Sequence, residues 1–156
     1  MFKPTLFTAL FTALIATLLL GACAATTPRH TAQEEANRRT VTDFYESVFV
    51  KRDLSTIDRY IGEPYIQHSP GLPDGRAALH KILPALFQKE PERSNRIIRT
   101  AADGDLVWLH AVVKSHPQDR GRVLVEIYRL ENGKIVEHWD VIQAIPETTV
   151  GSHTVY

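Results

Sequence analysis

His68, His110, Glu126, His138 and Asp140 are the side chains of this sequence that could do acid/base chemistry together. Taking a proton from carbon beside a carbonyl needs a base, and the developing oxyanion needs a donor. A carboxylate among apolar groups has its charged form disfavoured, which brings it toward working pH as a base. Asp140, close to Trp139 and Ile142, has such neighbours. The competing reading pairs it with His138, or with an arginine such as Arg99 or Arg129. His138 could orient Asp140, carry a proton or donate to an oxyanion; equally, it could be a half-buried strand histidine with its own partner. No His-x-His pair and no His-Glu-x-x-His occurs, so a metal would need His68, His110, Glu126 and His138 to converge in space. No Gly-x-Ser-x-Gly elbow, Gly-x-Gly-x-x-Gly turn or phosphate loop is present, so serine hydrolysis and nucleotide cofactors find no support. Neither a metal nor a cofactor is expected.

Whether these groups meet depends on strand register, since a slip of one residue moves every side chain to the other face. A two-residue loop at Asn132-Gly133 would set Glu126 opposite Trp139 and turn Asp140 away from it. A three-residue loop, Glu131-Asn132-Gly133 with Gly133 at positive φ, would set Glu126 opposite His138. Asp140, Leu124, Tyr128 and Val136 would then share that face. The Glu-Asn-Gly-Lys sequence favours the three-residue form. Val125, Ile127, Ile135 and Trp139 would lie on the opposite face, an apolar patch suited to a second copy of the chain.

The elements that must position this hairpin are legible in order. Thr31 and Glu34 form a capping box, and Val41, Phe44, Tyr45, Val48 and Phe49 recur at helical spacing to about Arg52. Asp53 can cap a shorter helix through Leu54, Ile57, Tyr60 and Ile61, ended by Gly62 and Pro64. After an extended Tyr65-Ile66-Gln67-His68, Asp74 can cap a third helix with the stripe Leu79, Ile82, Leu83, Leu86 and Phe87, kinked or broken at Pro84. Strands are expected over Arg96–Ala102, Leu106–Lys114, Arg122–Leu130 and Lys134–Ala144. Helices followed by a strand meander make an α+β plan. Tyr65, Trp108, Leu124, Tyr128 and Ile142 are the expected pocket lining, although aromatics at such positions are more often core than ligand stackers.

The chain has 156 residues, one domain's worth, with 44% hydrophobic and 23% charged residues. Lys plus Arg and Asp plus Glu balance at 18 each, and the basic residues form no stripe, which argues against nucleic acid as partner. Cys23 is the single cysteine, so no intrachain disulfide or cysteine-based zinc site can form. Its position gives it another role. Lys3 precedes an apolar run from Leu6 to Leu20, and Leu20-Gly21-Ala22-Cys23 resembles a bacterial lipobox. That resemblance implies cleavage before Cys23, lipid on its thiol, a tether over 23–31 and anchoring in the cell envelope. Ala24 favours the periplasmic side of the outer membrane. Ordinary secretion or an uncleaved anchor is the alternative, though the many Thr residues make this run a poor span.

Tyr65-Ile66-Gln67-His68-Ser69-Pro70, Asp74-Gly75-Arg76 and Gly104-Asp105-Leu106-Val107 with His110 resemble the SnoaL-like group of the nuclear transport factor 2-like superfamily. So does the run from Glu126-Ile127-Tyr128-Arg129 through Gly133-Lys134-Ile135-Val136-Glu137-His138-Trp139-Asp140. The resemblance covers 32–146 and leaves 147–156 as a tail. It implies a cone: a bent, antiparallel or mixed sheet of four to six strands, closed by three helices around one pocket, commonly as a homodimer. It also implies an acid/base Asp at Asp140 serving aldol chemistry without metal or cofactor, with the upstream acid at Glu126. Two functions follow as expectations. One is a cofactor-independent enzyme acting on a small carbonyl compound by aldol condensation, isomerisation or dehydration. The other is a non-catalytic envelope lipoprotein holding a small apolar ligand in the same pocket.

Overall fold

A computed structural model describes residues 31–156. The apolar run and Cys23 lie outside the described residues.

Helix α1 spans Ala32–Tyr45. Its capping box forms as expected, with the Glu34 amide donating to Thr31 Oγ1 at 3.1 Å and the Thr31 amide donating to Glu34 at 2.7 Å. The axis continues through a wider π-helical turn, Glu46–Val50, which keeps Val48 buried. A 3₁₀ turn, Leu54–Thr56, leads into the short α2, Ile57–Tyr60. Strand β1, Ile61–Gln67, begins directly afterwards, so Gly62 lies inside the strand instead of stopping a helix. A Cβ at Gly62 would stand 2.9 Å from Val136 Cγ1, and this close approach to the neighbouring strand is why glycine sits there.

Helix α3 runs unbroken over Arg76–Lys89, through Pro84. Proline removes a bond to the carbonyl of residue 80, but Pro84 and His80 are both exposed, so water can serve that carbonyl. Asp74 does not cap this helix; its carboxylate instead accepts the Gln67 amide at 2.7 Å, pinning the end of β1. Leu79 and Leu83 are buried, and Leu86 and Phe87 pack against the core at its edge.

The remaining strands are β2 (Ser94–Asp103), β3 (Leu106–Lys114), β4 (Arg122–Glu131) and β5 (Lys134–Ala144). They form a curved sheet in the order β1-β5-β4-β3-β2, antiparallel except for the parallel β1–β5 pair. Helix α1 packs across β2 and β3 on the inner face, and Phe44 meets Phe49, Tyr60 and Tyr128 edge-on at 5.8–6.0 Å. In β3, Val107, Leu109 and Ala111 face this core, and Val113 is fully buried.

The β4–β5 connection differs from expectation. Glu131 pairs with Lys134, so the loop is the two-residue Asn132-Gly133, with φ of 51° and 74°. Positive φ at both positions is the hairpin geometry that Asn-Gly favours. The register then shifts between Arg129 and Leu130: Leu130 pairs with Ile135 but Arg129 with Glu137, leaving Val136 as an extra residue. This bulge reverses the faces of its neighbours. Ile135 is fully buried in the core, while Val136 lies against Gly62 on the other side, the reverse of the expected assignment. Beyond the bulge, Tyr128 pairs with His138 and Glu126 with Asp140, so those four side chains and Leu124 still share the inner face.

Candidate active site

Between α3, the π-helical turn and the inner face of β4–β5 lies a cavity of about 300 Å³. Its walls are mainly apolar, and Glu126, His138, Asp140, Gln67 and Ser69 supply polar groups along one side.

Glu126 and His138 are buried, with Glu126 Oε2 2.7 Å from His138 Nε2. The other ring nitrogen, Nδ1, lies 2.9 Å from Gln67 Oε1. That oxygen also receives the Ser69 amide at 2.8 Å, which identifies it as the amide's acceptor atom. Nδ1 must therefore donate, and the tautomer of His138 is set by its neighbours. The Nε2–Oε2 contact consequently holds one proton, carried either by the imidazole or by the carboxyl. Tyr128 stacks on the His138 ring at 4.8 Å and closes one side of the pair.

Asp140 stands opposite Glu126 but is held separately: Ser69 Oγ donates to its Oδ2 at 2.6 Å. Among the described residues no arginine takes this role. Arg129 is on the outer face, bonded to Glu137 at 2.6 Å. Tyr45, Tyr65 and Tyr128 have hydroxyls pushed above the ordinary phenol range, first by burial and next by the Glu126 charge. These phenols therefore stay protonated and can only be neutral donors or acceptors.

Tyr65, Leu124, Tyr128 and Ile142 line the cavity as expected, Ile142 at its half-open edge. Three expected members do not. His110 and Trp108 belong to the alternate set of β3, paired with Val125 and Ile127, and so face outward. Burial first and the Arg99 cation second lower the His110 pKa. His68 also points outward, where it stacks on Trp139 at 4.7 Å and bonds Glu137 at 2.8 Å. Gln67 and Ser69 are unexpected members of the site, although alternation from Tyr65 puts residues 67 and 69 on its side and His68 on the other. Among the described residues no group of three or more His, Cys, Asp or Glu side chains is placed to hold a metal.

A curved sheet closed on one face by helices, with a cavity between them bordered by Glu126, His138 and Asp140, defines an α+β cone. The chain belongs to the SnoaL-like domain family, whose model matches residues 41–138. A search of curated proteins found no match. Among solved structures, it is similar to a SnoaL-like protein of unknown function from Burkholderia thailandensis (15% identity, TM-score 0.61, covering 70% of this chain and 97% of that one). It is also similar to a proposed SnoaL-like polyketide cyclase from Jannaschia (14% identity, TM-score 0.65, 74% and 91% covered). A third is IdmH from Streptomyces antibioticus, a proposed polyketide cyclase (22% identity, TM-score 0.57, 68% and 91% covered). At these identities the likeness establishes the fold, and the chemistry has to be argued from the residues.

Proposed function

We propose that the cavity performs proton transfer on a small, largely apolar carbonyl compound, in an aldol condensation or cyclisation, an isomerisation or a dehydration, using side chains alone. One observation carries this reading: Asp140 and a buried Glu126–His138 couple, 2.7 Å apart, border the same largely apolar cavity. The roles divide accordingly. Asp140 takes the proton from the carbon beside the carbonyl. The Glu126–His138 couple supplies its shared proton, as a hydrogen bond or by transfer, to the oxygen that gains charge. The proton on Asp140 then goes to the product carbon or the leaving oxygen, and the couple recovers its own.

Exchange of the α-hydrogens of tetralone with deuterated water, followed by NMR, tests this without knowledge of the natural substrate. Acceleration over buffer that is lost in Asp140→Asn supports the reading. Binding of tetralone without acceleration would leave the cavity as a holder of apolar ligands, the non-catalytic alternative.

For the envelope, we propose lipid on Cys23, supported by the lipobox-like Leu20-Gly21-Ala22-Cys23. Cys23→Ser should release the protein from the membrane fraction and remove the acyl mass; unchanged attachment would contradict it. For quaternary structure we propose a homodimer through the outer sheet face, where Trp108, Val125, Ile127 and Trp139 remain only partly covered. Ile127→Glu should shift the sedimentation coefficient to that of a monomer.

A further inference from the structure

The cavity has a second polar end whose charge is opposite to that of the acids. Arg122, Leu124 and Glu126 alternate along the inner face of β4, with Ile142 and Asp140 opposite the latter two. Alternate strand residues are about 6.7 Å apart, so Arg122 and Glu126 are separated by roughly 13 Å of backbone. From the open edge inward the wall thus reads cation, apolar pair, acids.

The cation is incompletely matched by its surroundings. Arg93 takes the near position on Glu90 at 2.6 Å and also bonds Asn95 at 3.1 Å. Arg122 stands 4.0 Å from the same Glu90 and donates to Ser115 Oγ at 3.2 Å. One carboxylate therefore serves two guanidinium groups. Asp119 is the other nearby acid; the amides of Ser115 and Gly121 lower its pKa most, and the Arg122 charge adds least. Both Asp119 oxygens are occupied by those amides, each at 2.9 Å. The Arg122 side chain is 38% exposed, accessible from the cavity edge yet partly withdrawn from water.

We propose that Arg122 determines substrate class: the cavity takes a carbonyl compound with an apolar body and a carboxylate at the end remote from the reacting carbon. This rests on the reading that the cavity binds a small carbonyl compound. A carboxylate is attracted to Arg122, which can engage it through two parallel N–H bonds, and is repelled by Asp140, whose partner is the uncharged Ser69 hydroxyl. Only one orientation satisfies both, and it places the uncharged end against the acids.

Calorimetric titration of the full chain with naphthylacetate and with its methyl ester tests the proposal. The acid should bind about tenfold more tightly than the ester, the scale of one hydrogen bond to a charged partner. Arg122→Gln should bring the two within about twofold by weakening the acid, and Arg122→Lys should retain part of the preference. Equal binding by the wild-type protein, an acid preference that survives Arg122→Gln, or failure of both ligands to perturb the Leu124 and Ile142 methyl resonances would each overturn it. Tetralone carries no acid, so its exchange reports on proton transfer separately: either inference can fail with the other intact.

Discussion

A glutamate–histidine pair lies on each face of β5: Glu126 of β4 with His138 inside, and Glu137 with His68, just past β1, outside. Inside, Glu126 and His138 are 2.7 Å apart with side chains 9% and 8% exposed; outside, Glu137 and His68 are 2.8 Å apart at 16% and 42%. Distance does not distinguish them, but their neighbours do. Glu137 also receives Arg129 at 2.6 Å, and that bond, followed by the one from His68, holds its carboxyl below the usual range. The outer glutamate is thus committed to its charged form. Among the described residues Glu126 is bonded by no arginine but by an imidazole whose far nitrogen is fixed by Gln67 and whose face is covered by Tyr128. The same two residue types are therefore set beside an arginine on one face and between a glutamine oxygen and a tyrosine ring on the other.

Substitutions sharpen that contrast. Glu126→Gln should reduce tetralone exchange by about 100-fold or more, the scale of positioned acid/base catalysis, with the circular dichroism of the folded protein retained. Gln67→Leu removes the group that fixes the His138 tautomer, and a loss of about tenfold is expected in the same assay. His68→Gln should leave the exchange rate within about twofold, because that ring lies on the outer face; a larger loss would erase the distinction between the faces. Glu137→Gln should cost about 0.5–1 kcal/mol in urea unfolding at neutral pH, typical of a partly exposed ion pair. Since the folded-state pKa of Glu137 is lowered, its contribution is complete above the unfolded carboxylate value and is lost as pH falls through the lowered one. The difference between wild type and Glu137→Gln should accordingly vanish in acid.

Much of the fold was legible because periodicity and turn residues agree along the chain. The capping box at Thr31, the stripe from Val41 to Phe49 and the strand meander follow from local pattern alone. The faces were harder. Glu126, His138 and Asp140 were grouped correctly, but through a three-residue loop that does not form. A two-residue turn plus a bulge at Val136 gives the same face parity, but it sets Glu126 opposite Asp140 where His138 was expected, and it exchanges the faces of Ile135 and Val136. A bulge beside a close β1–β5 approach at Gly62 depends on a contact between segments more than seventy residues apart, which no local pattern contains. His68 and His110 were drawn in by residue type where strand alternation opposed them. Arg122 shares the parity of Leu124 and Glu126, so its face could be read, whereas Glu90 and Arg93 reach the cavity from around a loop with no period.

The account depends on which nitrogen of His138 carries the fixed proton. Nitrogen-15 NMR of the histidine rings at neutral pH measures this directly. Nδ1 should resonate as a protonated nitrogen, with Nε2 displaced from both limits by the proton it shares with Glu126. An unprotonated Nδ1 with a fully protonated Nε2, or equal signals from His138 and the exposed His68, would contradict it.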